Sequence, residues 1–476
     1  MEINLKNLPT LNEVIAERCK RSFYFFVQEF WSVIVTEKPI WNWHIEVICD
    51  ELQVMALRVK DRLPKEYDLI INVPPGSSKS TIVTQLFPAW CWTIDSSIRF
   101  LSASYSADLS IDHAVRSRDV IKSEKYKRLF PEIRIRRDSD NKSHYKNLDN
   151  GERYATSVGG TATGMHAHII AVDDPLNPKQ AASEAELKTA NEWMDKTLPT
   201  RTVDKAMTPT ILVMQRLSEN DPTGMMLSKK GLNIRHICLP AEISDNVHPA
   251  ELADRYVDGL LDPIRMAKDV LVQMALKLGS YGYAGQFSQR PSPEDGAIWK
   301  KAWFLPVPDS EMPLPSQMEK YGTDWDLAYT KDELNAANAY VTAGFYDSKM
   351  YVDWIDFEWL EFPELIPYMK AQPQPHYIEA KASGKSAKQS LTKQGIPAIE
   401  IGVEGGDKVA RTKMVTPFAE AGMVMVRKSQ IDKLLNDERQ GIIKFPNGKF
   451  KDLNDALTQS ISRILFKELR EAELGW

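Results

Sequence analysis

The sequence predicts an α/β fold in two successive parts, a mostly parallel sheet followed by a mixed one. Three observations predict it. Short apolar runs at 69–73, 98–102, 169–172 and 210–214 alternate with helical stretches, as strands buried on both faces of a parallel sheet do. Beyond a proline-rich stretch at 306–315 the order changes to strand, hairpin, helix, strand, helix, strand, helix. A length of 476 residues, at roughly 150 per domain, supplies two large domains or three smaller ones.

The elements follow in order. Up to Lys65, Val14, Ala16, Phe23, Phe26, Val27, Phe30 and Trp31 recur at spacings of three and four, which predicts a helical lead-in. The four apolar runs then supply strands. Pro306, Pro308, Pro313 and Pro315 with few apolar neighbours predict an interdomain linker at 306–316, so the boundaries read 1–305 (with 1–65 as lead-in), 306–316 and 317–476. In the second part, 321–329 reads as a strand, and 339–346 and 350–357 as a hairpin turning at Asp347-Ser348-Lys349. A helix at 364–371, strands at 376–380 and 398–403, and a last helix at 452–469 complete it.

Composition narrows the function. With 43% hydrophobic and 26% charged residues, global disorder is excluded. Sixty basic against 65 acidic residues leave a net charge of -5, which excludes a histone-like positive coat but not a local basic face. The segment 116–137 is such a face, with nine basic residues against three acidic ones, a net of +6; it suits either a phosphate backbone or a solvated, salt-bridged helix. Cys19, Cys49, Cys91 and Cys238 are far apart, with no zinc spacing and no disulfide framework, which suits a reducing cytoplasm. Neither a signal peptide nor a spanning segment is expected.

Two patterns carry chemistry in the first part. Val73-Pro74-Pro75-Gly76-Ser77-Ser78-Lys79-Ser80-Thr81 joins an apolar strand to Ile82, Val83 and Leu86 at helical spacing, the setting of a phosphate-binding loop. Backbone amides of 76–81 would cradle phosphates, Lys79 would supply charge to the β/γ-phosphates and Ser80 a hydroxyl to Mg²⁺. A plain turn before a helix is the alternative, since glycine is missing at Val73 and Ser78, and Pro88 is expected to end or kink the helix after Phe87. The strand His168-Ile169-Ile170-Ala171-Val172 ends in Asp173 and Asp174, suited respectively to holding Mg²⁺ through water and to orienting or deprotonating the attacking water. A solvated strand end is the alternative there.

The second part places acids at element ends. Asp324 and Asp326 share a strand face, Glu379 ends another strand, and Asp452 and Asp455 share a helix face. Such carboxylates, converging on two Mg²⁺ or Mn²⁺ ions about 4 Å apart, would activate water for phosphodiester cleavage.

Together these residues resemble the large terminase subunit of tailed bacteriophages. The resemblance rests on Pro74-Pro75-Gly76-Ser77-Ser78-Lys79-Ser80, Ser104-Tyr105-Ser106, Leu129-Phe130-Pro131, Gly159-Gly160-Thr161-Ala162-Thr163-Gly164, Asp173-Asp174-Pro175 and Met214-Gln215-Arg216-Leu217 through Asp221-Pro222-Thr223-Gly224. It continues in Gln289-Arg290-Pro291, Trp325-Asp326-Leu327-Ala328, Ile378-Glu379-Ala380-Lys381-Ala382-Ser383-Gly384, Asp407-Lys408 with Arg411, and Phe445-Pro446-Asn447-Gly448 before Asp452 and Asp455. It implies a P-loop ATPase domain of the additional-strand class followed by an RNase H-like nuclease domain. It also implies ATP and Mg²⁺ as cofactors, with Mn²⁺ possible at the nuclease site. The implied activity is ATP-driven movement of double-stranded DNA into a procapsid, with endonucleolytic cutting of the concatemer.

Implied partners are double-stranded DNA, a portal protein, a small terminase subunit and further copies of the chain in a ring, in the cytoplasm of a bacterial host. Implied roles are nucleotide and metal binding by Lys79 and Ser80, hydrolysis by Asp173 and Asp174, coupling of hydrolysis to movement by Gln215 and Arg216, and nuclease catalysis by Asp326, Glu379 and Asp452 or Asp455. Trp41-Asn42-Trp43-His44 resembles the region near the adenine, and reads equally as core. Relatives carry an arginine where Gly76 stands and an aspartate where Asn338 stands; Arg116, Arg118, Arg201 or Arg216 are expected to substitute for the arginine, and Asp324 to assist the metals. Rival readings are an RNase H-like nuclease with a vestigial ATPase half and a non-enzymatic portal-docking subunit.

Overall fold

The apolar spacings at the start of the chain fold as three helices, Leu11–Arg21, Phe23–Ile34 and Trp43–Lys60, in a computed structural model that describes residues 9–160, 164–181, 183–291, 298–327, 337–379, 382–402, 408–448 and 450–466. Thr10 caps the first: its hydroxyl accepts from the Glu13 amide at 3.3 Å, and the Glu13 carboxylate accepts from the Thr10 amide at 2.7 Å. Phe23, Phe26, Phe30 and Trp31 are buried as expected, packing with Phe87, Trp90, Tyr126 and Phe130, whereas Val14 stays exposed. At roughly 1.5–3 kcal/mol per buried large apolar side chain, this cluster anchors the lead-in to the sheet beneath it.

The chain divides into two compact units, 1–274 with 281–294, and 275–280 with 295–476. In the first, β1 (Asp68–Asn72), β2 (Arg99–Ser104), β3 (Ile135–Asp140), β4 (His144–Asn147), β5 (Glu152–Ser157), β6 (Ile169–Asp173), β7 (Thr210–Met214) and β8 (Ile234–Cys238) form one sheet. Their order is β3-β4-β5-β2-β6-β7-β1-β8, parallel from β5 to β8, with an antiparallel pair at the β3 edge. The four expected strands are its buried centre. The edge strands β3 and β8, and β4 next to the β3 edge, lack long apolar runs, which is why their sequences do not announce them.

One expectation about this unit is corrected. Pro88 does not end the helix after Phe87: the chain makes a wide π turn over Thr81–Leu86 and runs on as the helix Phe87–Ile94. Proline removes the amide that would meet the Thr84 carbonyl, and the buried Arg153 guanidinium takes that carbonyl at 2.7 Å instead. The basic face 116–137 is largely compensated: Arg116 pairs with Asp112, Arg118 and Lys122 with Asp140, Lys125 with Glu29, Lys127 with Glu124 and Arg136 with Asp138. That is the salt-bridged reading of the segment, spread over two helices and β3.

In the second unit, β9 (Leu305–Val307), β10 (Glu319–Asp326), β11 (Asn338–Tyr346), β12 (Lys349–Glu358), β13 (His376–Glu379), β14 (Ala398–Ile401) and β15 (Val424–Arg427) form a mixed sheet in the order β14-β13-β10-β11-β12-β15-β9. The stretch 306–316 is therefore no free linker; it carries β9, which pairs in parallel with β15 at the sheet edge, where proline's missing amide costs least. The expected hairpin is β11–β12, turning through Asp347 (φ 45°) and Ser348 (φ 60°). The last helix, Asp452–Ile461, lays Leu453, Ala456, Leu457 and Ile461 into a core with Val341, Val352, Val424 and Val426.

Candidate functional site

The candidate phosphate loop, 73–81, leaves the C-terminal end of β1, and Asp173 ends β6 at the same end of the sheet. Register shows why: Asn72 lies opposite Met214, and Asp173 opposite Val213, with β7 between them. Gly76 adopts φ +79° and Ser78 φ +60°, so the loop uses the left-handed region twice. The Ser77 hydroxyl donates to the Pro74 carbonyl at 2.8 Å, closing the turn. Ser80 and Thr81 follow at the start of the helical run.

The sheet brings the expected residues together. The Lys79 ammonium lies 3.3 Å from Asp174 and is almost wholly buried. Asp173 accepts from the Thr84 hydroxyl at 3.1 Å, with His113 at 3.4 Å. Burial, only partly offset by Lys79, raises both carboxyls above the usual range. The second oxygen of Asp173 is buried without a partner, and beside the Ser80 hydroxyl it is suited to hold Mg²⁺ directly or through water. The Gln215 amide donates to Asp174 at 3.3 Å, so the residue expected to couple hydrolysis to movement touches the acid that Lys79 holds.

Of three further residues here, His44 and Asn42 lie in the aromatic segment expected near the adenine, whereas Arg265 had no signal in the sequence pattern because its partners are distant along the chain. His44 Nε2 meets the Ser77 carbonyl at 3.2 Å, and burial pushes its pKa down to about 4. Arg265 donates to the Ile40 carbonyl at 2.8 Å and reaches Ser78 Oγ at 3.4 Å. Asn42 donates to the Leu261 carbonyl at 2.6 Å. The segment 40–44 therefore underlies the phosphate loop together with 261–265. Trp43 packs on Tyr256 at 5.6 Å, whereas Trp41 is a third exposed beside Trp31.

In the second unit, Asp326 ends β10 and Glu379 ends the neighbouring parallel strand β13, so both acids lie at one sheet end. Asp455, from the last helix, faces Asp326 across the Lys408 ammonium, which pairs with Asp455 and lies 3.9 Å from Asp326. Burial first, and Asp455 next, push the Asp326 pKa up to about 8. Burial opposes the Lys408 charge, but Asp326 and Asp455 outweigh it and hold the ammonium above its ordinary range. Glu379 accepts from Arg411 at 2.8 Å. Asp452 is turned away, accepting from the Ala337 amide at 3.0 Å and from Gln440 at 2.7 Å.

Asp324, the other acid on the Asp326 face, is wholly buried and gripped by Arg463 at 2.7 Å; that pairing leaves it no part in a metal site. Among the described residues no group of three or more His, Cys, Asp or Glu side chains surrounds a common metal position. Asp326 and Asp455 nonetheless converge on one cation, so the pair fits a divalent ion. Thr161, Ala162, Thr163, Ala328, Tyr329, Ala380, Lys381, Val403, Asp407 and the 467–469 end of the last helix lie outside the described residues.

No protein-family model and no curated protein matches the chain. Among solved structures it is similar to the large terminase of a thermophilic bacteriophage in complex with ADP, at 12% identity and TM-score 0.46 over 87% of this chain and 99% of that one. The same phage protein in complex with ATP-gamma-S is similar at 12% identity and TM-score 0.46, over 86% and 98%. The human cytomegalovirus terminase nuclease domain is similar at 14% identity and TM-score 0.22, over 33% of this chain and 88% of that one. The chain is similar to large terminases.

Its departures from the large-terminase pattern have local counterparts. Ser78 holds a left-handed backbone where glycine would be free, at a cost of roughly 1–2 kcal/mol. Of the arginines expected to assist hydrolysis, Arg216 is bound to buried Asp221 at 3.0 Å, Arg118 to Asp140 at 3.2 Å and Arg116 to Asp112 at 2.9 Å. Arg201 keeps a buried Nε without a partner, and Arg265, not foreseen, reaches the loop itself. Asn338 is buried and donates to the Leu360 carbonyl at 3.2 Å. All four cysteines are buried free thiols, and among the described residues no helix is long and apolar enough to cross a membrane.

Proposed function

We propose that this chain is a viral DNA-packaging motor of the large-terminase kind. ATP hydrolysis in the first unit moves double-stranded DNA into a procapsid, and a metal-dependent site in the second unit cuts the concatemer. The observation that carries the reading is the meeting of Lys79 with Asp173 and Asp174, delivered by separate strands to one pocket beside the phosphate loop.

In that pocket the amides of 76–81 receive the triphosphate, and Lys79 turns from Asp174 to the β/γ-phosphates. Asp174, released from the ammonium, orients the attacking water and accepts its proton. Because the Gln215 amide holds the other oxygen of Asp174, the exchange of partners is felt at the end of β7, where Gln215 and Arg216 transmit it. Ser80 and Asp173 would hold Mg²⁺, which when bound would neutralise charge on the phosphates. In the second unit Asp326 and Asp455, with Glu379 once released from Arg411, would hold the divalent ions, which would supply the charge that activates water for cleavage. Asp452 supports the site by fixing the 337 and 440 segments.

The partners proposed are double-stranded DNA, a portal protein, a small terminase subunit and further copies of the chain in a ring, in the cytoplasm of a bacterial host. Duplex held through its phosphates gives activity that falls steeply as salt rises.

Two variants test the reading together. Lys79→Ala should abolish DNA-stimulated ATP hydrolysis and leave Mn²⁺-dependent cleavage intact. Asp326→Asn should abolish cleavage and leave the ATPase intact. Unaltered ATP hydrolysis in the first, or normal cutting in the second, removes that site from the proposal.

A further inference from the structure

The acids of the second unit are already supplied with cations from one helix. Lys408 and Arg411 are three residues apart on Lys408–Glu420 and therefore share a face. Arg411 neutralises Glu379 at 2.8 Å, and the Lys408 ammonium sits between Asp455 and Asp326. Three carboxylates from two strands and one helix thus face two cations, while Asp452, turned away, acts on Asp326 only at longer range. Asp326 has the greatest need of one. It is partly buried, and Asp455, Asp452 and Glu379 all act against its charge while Lys408 supports it.

We propose that Lys408 is an internal counter-ion that occupies the cation seat between Asp326 and Asp455, so that a divalent ion binds there only by displacing its ammonium. This rests on the nuclease reading above and goes beyond it, since it makes metal uptake a competition within the protein. A carboxylate pair accepts either one ammonium or one metal ion along the same lone pairs. The apparent affinity for metal is then the intrinsic affinity reduced by the fraction of molecules in which Lys408 has moved aside. The arrangement keeps the acids folded together without metal, because an ammonium relieves the repulsion that would otherwise drive Asp326 and Asp455 apart.

The test is calorimetric titration of the metal-stripped full-length chain with Mn²⁺ at constant ionic strength. Lys408→Met, which keeps the chain length and removes the charge, should bind Mn²⁺ about tenfold more tightly than the unaltered protein. Lys408→Arg keeps the charge and should not. In chelator the melting temperature of Lys408→Met should fall below that of the unaltered protein, and Mn²⁺ should restore it. Should the methionine variant fold poorly, Lys408→Gln replaces it with the same expectation.

Equal or weaker Mn²⁺ binding by the neutral variants overturns the role of Lys408 while leaving a metal site in place. Absence of Mn²⁺ binding in every protein, the unaltered one included, overturns the metal reading of the cluster and this inference with it.

Discussion

Asp324 and Asp326 differ by two positions on one strand face and have opposite fates. Arg463 closes on Asp324 with contacts of 3.0, 3.1 and 2.7 Å, its Nη1 donates to the Lys320 carbonyl at 2.7 Å, and its guanidinium lies over the Tyr377 ring. Asp326, one strand pleat further on, meets the lysine and acids of the cluster instead. Removing one member of a buried pair strands the other's charge, so Asp324→Ala should cost about 3–5 kcal/mol, read from the urea midpoint. Asp324→Leu combined with Arg463→Met should lose much less, because no buried charge is left unpaired. A double variant as unstable as the single one would mean that packing, rather than charge, makes the contribution. The two-residue spacing told that these acids share a face; Arg463, 139 residues away, decided which of them is structural.

Among elements, the ones legible in the sequence were those whose own residues announce them: the apolar central strands, the amphipathic lead-in helices and the β11–β12 hairpin. The hairpin turn also carries a cost that its sequence exposes. Both Asp347 and Ser348 take positive φ, which glycine tolerates freely and other residues do not. Ser348→Gly should therefore raise stability by about 1 kcal/mol in urea denaturation, and a loss would show that the hydroxyl contributes more than the backbone strain removes. Elements of mixed character were not legible. β9 is too short and proline-bearing, and β3 carries Arg136, Arg137 and Asp138, so each exists as a strand only because a neighbour offers it a sheet edge. The run through Pro88 belongs with them, since the helix continues by widening its turn and by borrowing Arg153 from β5.

Across the whole molecule, burial of histidines sets the response to acid. His44, His113, His168, His236 and His376 are each lowered by burial from 6.5 to about 4, so they stay neutral in the native state. The unfolded chain takes up their protons at about 6.5, hence stability is full above that pH and is lost as pH falls through the window from 6.5 to 4. Asp50, Asp173, Asp174 and Asp326, raised in the native state, slope the other way, but five histidines outnumber four carboxyls. Urea midpoints should fall between pH 7 and 4.5, and His168→Asn, whose amide oxygen still accepts from the Arg99 amide, should give a shallower fall; a flat profile would contradict this.

Local pattern was enough to fix the two-part α/β character, the strand-to-helix turn at 73–81 and the strand-end acids, because periodicity, turn residues and spacing are properties of neighbours in the chain. Tertiary structure alone chose Asp455 over Asp452 as the acid facing Asp326, set Lys408 between them and brought Arg265 to Ser78. Those outcomes depend on which distant side chains share a pocket, and short-range spacing carries no record of that.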